Sequence, residues 1–214
     1  MNIMSQLEAL IFDVDGTLAD TERDGHLVAF NMAFEEAGLD WHWSVELYGK
    51  LLAVTGGKER IKFYLSDFYP EERGEEFPKP DNFDEFVAGL HAAKTRFYTQ
   101  LMADGAVPLR PGVVRLFQEA RDANLRLAIA TTTTPANVTA LLTHTLGAES
   151  IDWFEVIAAG DIVPAKKPAP DIYTYAMEKM NLKPEQCLAF EDSHNGLLSS
   201  RGADLKTVIT INDY

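Results

Sequence analysis

Leu10-Ile11-Phe12-Asp13-Val14-Asp15-Gly16-Thr17-Leu18 is the stretch on which the fold turns. It closes a short, mostly apolar run over residues 7–12, of strand length and of the kind buried in a parallel sheet. Two carboxylates two residues apart follow at once, then Gly16. Side chains at i and i+2 of an extended chain point the same way, so Asp13 and Asp15 start on one side even as the chain bends at Gly16. The carboxyl end of a buried strand is where open α/β sheets place their ligands. Two acids there repel each other unless a cation lies between or beside them. A hard divalent ion with oxygen ligands, most simply Mg²⁺, is the natural occupant. A lone D-x-D is by default a solvated turn. The apolar strand, the Gly-Thr turn and the lack of a neighbouring Lys or Arg weigh toward a site.

Working outward, 214 residues fit one large domain or two small ones, with an ordinary apolar fraction of 46%. Thirty-three acidic against 19 basic residues give a formal charge of −14. That balance argues against nucleic acid or an anionic membrane as partner. An anionic substrate then needs a local basic pocket or a metal. The single Cys187 allows no intramolecular disulfide and fits a reducing cytosol, hence a cytoplasmic protein, read here as a monomer. Residues 1–6 are too short and polar for a signal peptide, and no apolar run reaches membrane-spanning length.

After Leu18 the pattern turns helical. Residues 20–38 read as a helix with Leu27, Phe30, Phe34 and Ala37 at spacings of three and four, closed by Gly38. A second helix is expected over 44–53, interrupted by Thr55-Gly56-Gly57-Lys58-Glu59-Arg60 and resuming over 61–68. Residues 69–80 read as a loop, and 82–103 as one long helix. From Pro108 the chain alternates. Helices are expected over 110–123, 135–146, 170–180 and 193–201. Strands are expected over 125–130, 154–159, 187–190 and 205–211. Such alternation implies an α/β fold, a doubly wound parallel sheet covered on both faces. Only one strand precedes the helical block. The expected organisation is therefore an α/β core of residues 1–18 and 107–214, with an all-helical cap of residues 19–106 inserted after strand 1, as a lid over the site.

Three further strand ends carry suitable residues. Leu127-Ala128-Ile129-Ala130 runs into Thr131-Thr132-Thr133-Thr134, where a hydroxyl and the amides of the next helix start could hold a phosphate oxygen. Helix capping is the better reading for Thr133 and Thr134, function for Thr131. In Lys166-Lys167-Pro168-Ala169-Pro170, a lysine facing two carboxylates could balance their charge and bind a phosphoryl group. Cys187-Leu188-Ala189-Phe190 ends in Glu191-Asp192, a second acidic pair suited to completing a metal site.

D-x-D-G-T, T, K-P-x-P and E-D in this order resemble the four motifs of the haloacid dehalogenase (HAD) superfamily of aspartyl-phosphate phosphotransferases. The resemblance spans the whole alternating region and picks Lys167 over Lys166. It implies that Asp13 attacks phosphorus, that Asp15 protonates the leaving alcohol and then activates water, and that Thr131 and Lys167 bind phosphoryl oxygens. It implies Mg²⁺ held by Asp13, the backbone carbonyl of Asp15, and Asp192, with Glu191 close or through water. The superfamily's dehalogenases lack the second aspartate, so Asp15 argues for phosphate ester chemistry.

In the cap, Gly56-Gly57 precedes a helix start with Lys58 and Arg60 able to reach an anion, and His26, Lys94 and Arg96 are further candidates, although each is by default a solvated surface residue. A phosphate site there, besides that at Asp13, would suit a bisphosphate. Glu22 with the run at 20–26, the 55–60 stretch and the Thr run, including Thr132 and Thr133, is similar to the CbbY-type phosphatases. That resemblance implies hydrolysis of a sugar phosphate such as xylulose-1,5-bisphosphate. Two other functions stay open: a β-phosphoglucomutase, which returns the phosphoryl group to its sugar, and a non-enzymatic phospho-acceptor or binding module. His42, His91 and His144 read as structural or exposed. Relatives usually continue past a strand like the last one here, so that edge of the sheet is expected to be less well covered.

Overall fold

The computed structural model describes residues 7–54 and 56–211. The readings made of residues 1–6, Thr55 and 212–214 lie outside the described residues. The chain divides into two compact units, one of residues up to 22 and from 102 onward, the other of residues 23–101.

The first strand, β1 (Ala9–Phe12), is buried at all four positions. A π-helical segment, Thr21–Leu27, then runs into α1 (Val28–Glu36), which stops where Gly38 takes φ +69°. In the second unit α1 is followed by α2 (Val45–Leu51), α3 (Gly57–Phe63), a π-helical stretch Tyr64–Phe68, α4 (Tyr69–Arg73) and α5 (Phe83–Ala103). Ser44 caps α2, its side chain accepting the Leu47 N–H. Most boundaries shift by one to three residues from expectation, and two are worth naming. Helix α3 starts at Gly57, so Lys58 and Arg60 lie on its first turns. Residues 69–73, expected in a loop, form α4, because Pro70 falls in the first turn, where its missing N–H has no helical partner to lose.

The core of this unit is aromatic. Trp43 is fully buried, its ring centroid 4.7 Å from Phe30 and 4.9 Å from Phe34. Asn31 fixes the backbone there by accepting the Trp43 N–H at 2.9 Å and donating to the Trp43 carbonyl at 3.0 Å. Trp41, Tyr48, Leu51, Ile61 and Tyr64 complete the cluster.

The first unit resumes with α6 (Val113–Asp122), β2 (Arg126–Thr131), α7 (Pro135–Leu146) and β3 (Phe154–Ala159). It continues with α8 (Asp171–Met180), β4 (Cys187–Glu191), α9 (His194–Gly202) and β5 (Lys206–Ile209). The five strands form one parallel sheet in the order β3-β2-β1-β4-β5. Sequence order reverses beside β1, which is the kind of switch point where such sheets bind ligands. Alternation along β1 sends Ile11 to one face and Phe12 to the other. Ile11 joins a cluster with Ala128, Ala158, Ile172, Tyr173 and Met177. Phe12 packs edge-on against Phe117 of α6 at 5.1 Å, and Phe117 in turn meets Phe154 at 5.3 Å. Val208 and Ile209 on the outermost strand β5 are exposed.

Phe117 is fully buried at the junction of α6 with β1 and β3. Phe117→Ala should cost about 3–5 kcal/mol in urea unfolding, the range for an aromatic cavity in a well-packed core.

Candidate active site

The strand register brings the chemistry together. Phe12 stands opposite Ile129 of β2 and Phe190 of β4. Asp13 and Glu191, one step beyond, and Thr131, two steps beyond, therefore stand at the carboxyl ends of three adjacent strands. The Asp13 N–H extends the pairing by one step, donating to the Phe190 carbonyl at 3.0 Å.

After Asp13 the chain folds into a tight loop. The Val14 carbonyl accepts the N–H groups of Thr17, Leu18 and Ala19 at 3.2, 2.9 and 3.2 Å. Gly16 sits at φ +84°, and a Cβ there would lie 1.9 Å from Asp192 Oδ2. Glycine is therefore required twice, for the left-handed turn and for the approach of Asp192. Arg110 donates to the Gly16 carbonyl and to that of Ile211, a tether the sequence reading did not single out.

Lys167, from the loop after β3, has a side chain only 7% exposed. Its Nζ is 2.6 Å from Asp13 Oδ1 and 2.6 Å from Glu191 Oε1. Burial works against its charge, but Asp13 and Glu191 outweigh burial and hold the ammonium pKa above its ordinary value. Glu191 is fully buried; burial and then Asp13 raise its carboxyl pKa against the pull of Lys167. Tyr173, also fully buried, donates its phenol to Glu191 Oε1 at 2.5 Å. Lys166 lies outside this group and pairs with Asp161 at 2.8 Å.

Asp15 has a different environment. Thr21 Oγ1 donates to Asp15 Oδ1 at 2.7 Å. Burial first, then the Asp13 charge, push the Asp15 carboxyl up from 3.8 to about 7, with half-buried Glu22 adding to the rise. A carboxyl group so poised can give up a proton and take one back near neutral pH.

Thr131 is the last residue of β2 rather than the first after it, and is fully buried. Its Oγ1 accepts the Thr133 N–H at 3.3 Å. Thr132 is exposed, Thr133 accepts from Asn137 Nδ2 at 3.4 Å, and Thr134 caps α7.

The helical unit carries its own cationic group. Lys94, buried on α5, places Nζ 2.8 Å from His26 Nδ1 and over the rings of Phe30 and Tyr98 at 5.1 and 5.0 Å. Burial, then Lys94, Arg60 and His91, hold the His26 imidazole well below its usual pKa, so it is neutral and able to accept from the ammonium. Arg60 donates to the Tyr48 hydroxyl at 2.7 Å. Lys58 is exposed. Arg96 pairs with Glu36 at 2.5 Å. His91, set aside by the sequence reading, lies against Gly57, and burial with Lys94 and Lys58 depresses its pKa.

Asp13, Glu191 and Asp192 present carboxylate oxygens all within 4.8 Å of one another. Such hard oxygen donors, with Asp192 brought in against Gly16, fit Mg²⁺ or a similar ion. Among the described residues no helix is long and apolar enough to cross a membrane.

A buried parallel sheet with a carboxylate, a lysine and an acidic pair at its switch point defines a class, and family comparison agrees. A model of the haloacid dehalogenase-like hydrolases matches residues 7–204, and the chain belongs to this family. It is an enzyme, a phosphatase. The chain is 51% identical to Protein CbbY of Rhodobacter capsulatus, over 98% of this chain and 87% of that protein. A crystal structure of a CbbY mutant from Rhodobacter sphaeroides, in complex with xylulose-(1,5)-bisphosphate, matches at 45% identity with a TM-score of 0.70. It covers 96% of this chain and 87% of that one. A Thermotoga maritima structure provisionally named a β-phosphoglucomutase matches at 27% identity and TM-score 0.70, over 97% and 88% of the two chains.

The Asp15 shift has a definite sign. Unfolded, the carboxyl ionises near 3.8; folded, near 7. Asp15 thus weakens the fold progressively as pH rises from about 4 to about 7. In EDTA, Asp15→Asn should be more stable than wild type by about 2–4 kcal/mol at pH 8 and lose that advantage at pH 4, followed by urea unfolding. A difference independent of pH would overturn the assignment.

Proposed function

We propose that this chain hydrolyses a sugar phosphate, with a pentulose bisphosphate such as xylulose-1,5-bisphosphate as substrate, through an aspartyl-phosphate on Asp13. The observation that carries the reading is the contrast between Asp13, bound by Lys167 at 2.6 Å, and Asp15, with a carboxyl pKa of about 7. The first environment suits a nucleophile and the second an acid and base.

An Asp13 oxygen attacks phosphorus and the P–O bond to the sugar breaks as Asp15 gives its proton to the leaving oxygen. Asp15 then takes a proton from water, whose oxygen attacks the phosphoryl group, releasing phosphate and freeing Asp13. Lys167 and the Thr131 hydroxyl bind the phosphoryl oxygens and spread their charge. Mg²⁺, held by Asp13, Asp192 and the Asp15 carbonyl with Glu191 nearby, would neutralise the anionic substrate beside these acids.

Support for a bisphosphate comes from the complex of the R. sphaeroides relative with xylulose-(1,5)-bisphosphate. The helical unit, taken by itself, adds charge of the right sign in Lys94, Arg60 and Lys58, with His26 as a further candidate for the sugar, and Glu22 another just before that unit begins. Likeness to the T. maritima protein keeps a phosphomutase as second reading.

Phosphate release from a panel of sugar mono- and bisphosphates, with Mg²⁺ and with EDTA, tests the proposal. One bisphosphate should be preferred, EDTA should abolish turnover, and Asp13→Asn should lower kcat by about 10³-fold or more. Release that survives in Asp13→Asn overturns the nucleophile; isomer formed in place of phosphate favours the phosphomutase.

A further inference from the structure

We infer that Tyr173 is a positioning residue of this site: its buried phenol pins Glu191 as the second carboxylate partner of Lys167, and so keeps the Lys167 ammonium on Asp13. The inference rests on the phosphatase reading for its kinetic consequence, and on geometry alone for the contact.

Tyr173 lies on the first turn of α8, six residues after Lys167, with its ring inside the cluster packed between α8 and the sheet. A phenol buried at such a position needs a partner for its O–H. Tyr173 finds it in Glu191 Oε1, the same oxygen that accepts Lys167 Nζ at 2.6 Å. Lys167 Nζ is in turn 5.2 Å from the Tyr173 ring centroid, so the three groups form a closed triangle.

The opposite wall is backbone. A Cβ on Gly196 of α9 would lie 1.8 Å from Glu191 Oε2, so the helix is pressed against that oxygen. Among the described residues Oε2 itself finds no hydrogen-bond partner. Packing confines the carboxylate between α9 and Tyr173. The phenol fixes the rotation of the carboxylate about its last bond, because it adds a second donor to the oxygen that faces the lysine. With phenylalanine at this position the ring is kept and the donor lost. The Glu191 carboxylate is then free to rotate about its last bond, which changes its hold on the ammonium and shifts Lys167 relative to Asp13.

The sequence gives no sign of this role. An aromatic at helical spacing reads as core, which Tyr173 also is. Lys167 acts on charge that develops during phosphoryl transfer, so its displacement should cost kcat rather than KM.

The test compares wild type, Tyr173→Phe, Glu191→Ala and the double variant, all as full chains, with p-nitrophenyl phosphate and saturating Mg²⁺. Tyr173→Phe should lower kcat roughly tenfold, as expected for a charge-assisted hydrogen bond, with KM within about twofold. In the Glu191→Ala background the same change should have no further effect. Calorimetric titration of Mg²⁺ alone should give Kd values within about threefold for wild type and Tyr173→Phe. Urea unfolding of the four proteins in EDTA should show the same non-additivity without any need for turnover. The contact therefore stands or falls separately from the phosphatase reading. Wild-type kcat in folded Tyr173→Phe, losses that add in the double variant, or Mg²⁺ binding weakened beyond about tenfold would each overturn the role. If Glu191→Ala does not fold, Tyr173→Phe alone decides it.

Discussion

One buried ammonium holds the site together. Asp13, Glu191 and Asp192 crowd their carboxylates within 4.8 Å, two of the three residues are buried, and Lys167 is shared between Asp13 and Glu191 at 2.6 Å each. Like charges so close and so poorly solvated are tolerable only with a cation among them. The neighbouring backbone is shaped to this need. Gly16 lets Asp192 approach the loop after Asp13, Gly196 lets α9 close on Glu191, and the parallel register of β2, β1 and β4 aligns the strand ends that supply the acids. A metal at this cluster would add to an arrangement of three carboxylates that Lys167 neutralises only in part.

The same geometry separates two aspartates that differ little in sequence. Asp13 accepts from a lysine, whereas Asp15 accepts from the Thr21 hydroxyl and is raised to about 7 by burial and by the Asp13 charge. Divergent environments for adjacent carboxyl groups are how one site runs nucleophilic and acid–base chemistry at a single pH. The net charge of −14 makes local positive charge more valuable. Lys167 in the sheet unit and Lys94 in the helical unit are both buried and both held by named partners rather than left to solvent.

Much of the fold was legible because periodicity and burial coincide. Residues 135–146 and 154–159 match α7 and β3 to the residue, since each is bounded by a proline, a glycine or an aromatic with an evident structural job. The short elements were less legible. Helix α4 is five residues long and lies within a stretch, 69–80, read as loop for its prolines and acids, although Pro70 fits the first turn of a helix. Within the site, the strand-end acids and Lys167 stood out as motif residues. Arg110 and Tyr173 did not, because an arginine before Pro-Gly and an aromatic in a helix have common structural uses, and their partners lie 94 and 18 residues away.

The sequence by itself determined the alternating parallel sheet, the helical block after β1 and the nearness of Asp13, Asp15, Thr131, Lys167, Glu191 and Asp192 to the carboxyl ends of strands, although Thr131 and Glu191 close their strands rather than follow them. These follow from short-range rules of hydrophobic period and chain turning. Only the tertiary structure decided how those residues divide their work. Glu191 and Asp192 read as one acidic pair, and their carboxylates do lie within 4.8 Å of each other, but they meet different partners. Glu191 turns inward to Lys167 and Tyr173, and Asp192 turns to Gly16. Partner choice among buried charges depends on which groups share a desolvated volume, and that is set by packing between distant elements rather than by spacing along the chain.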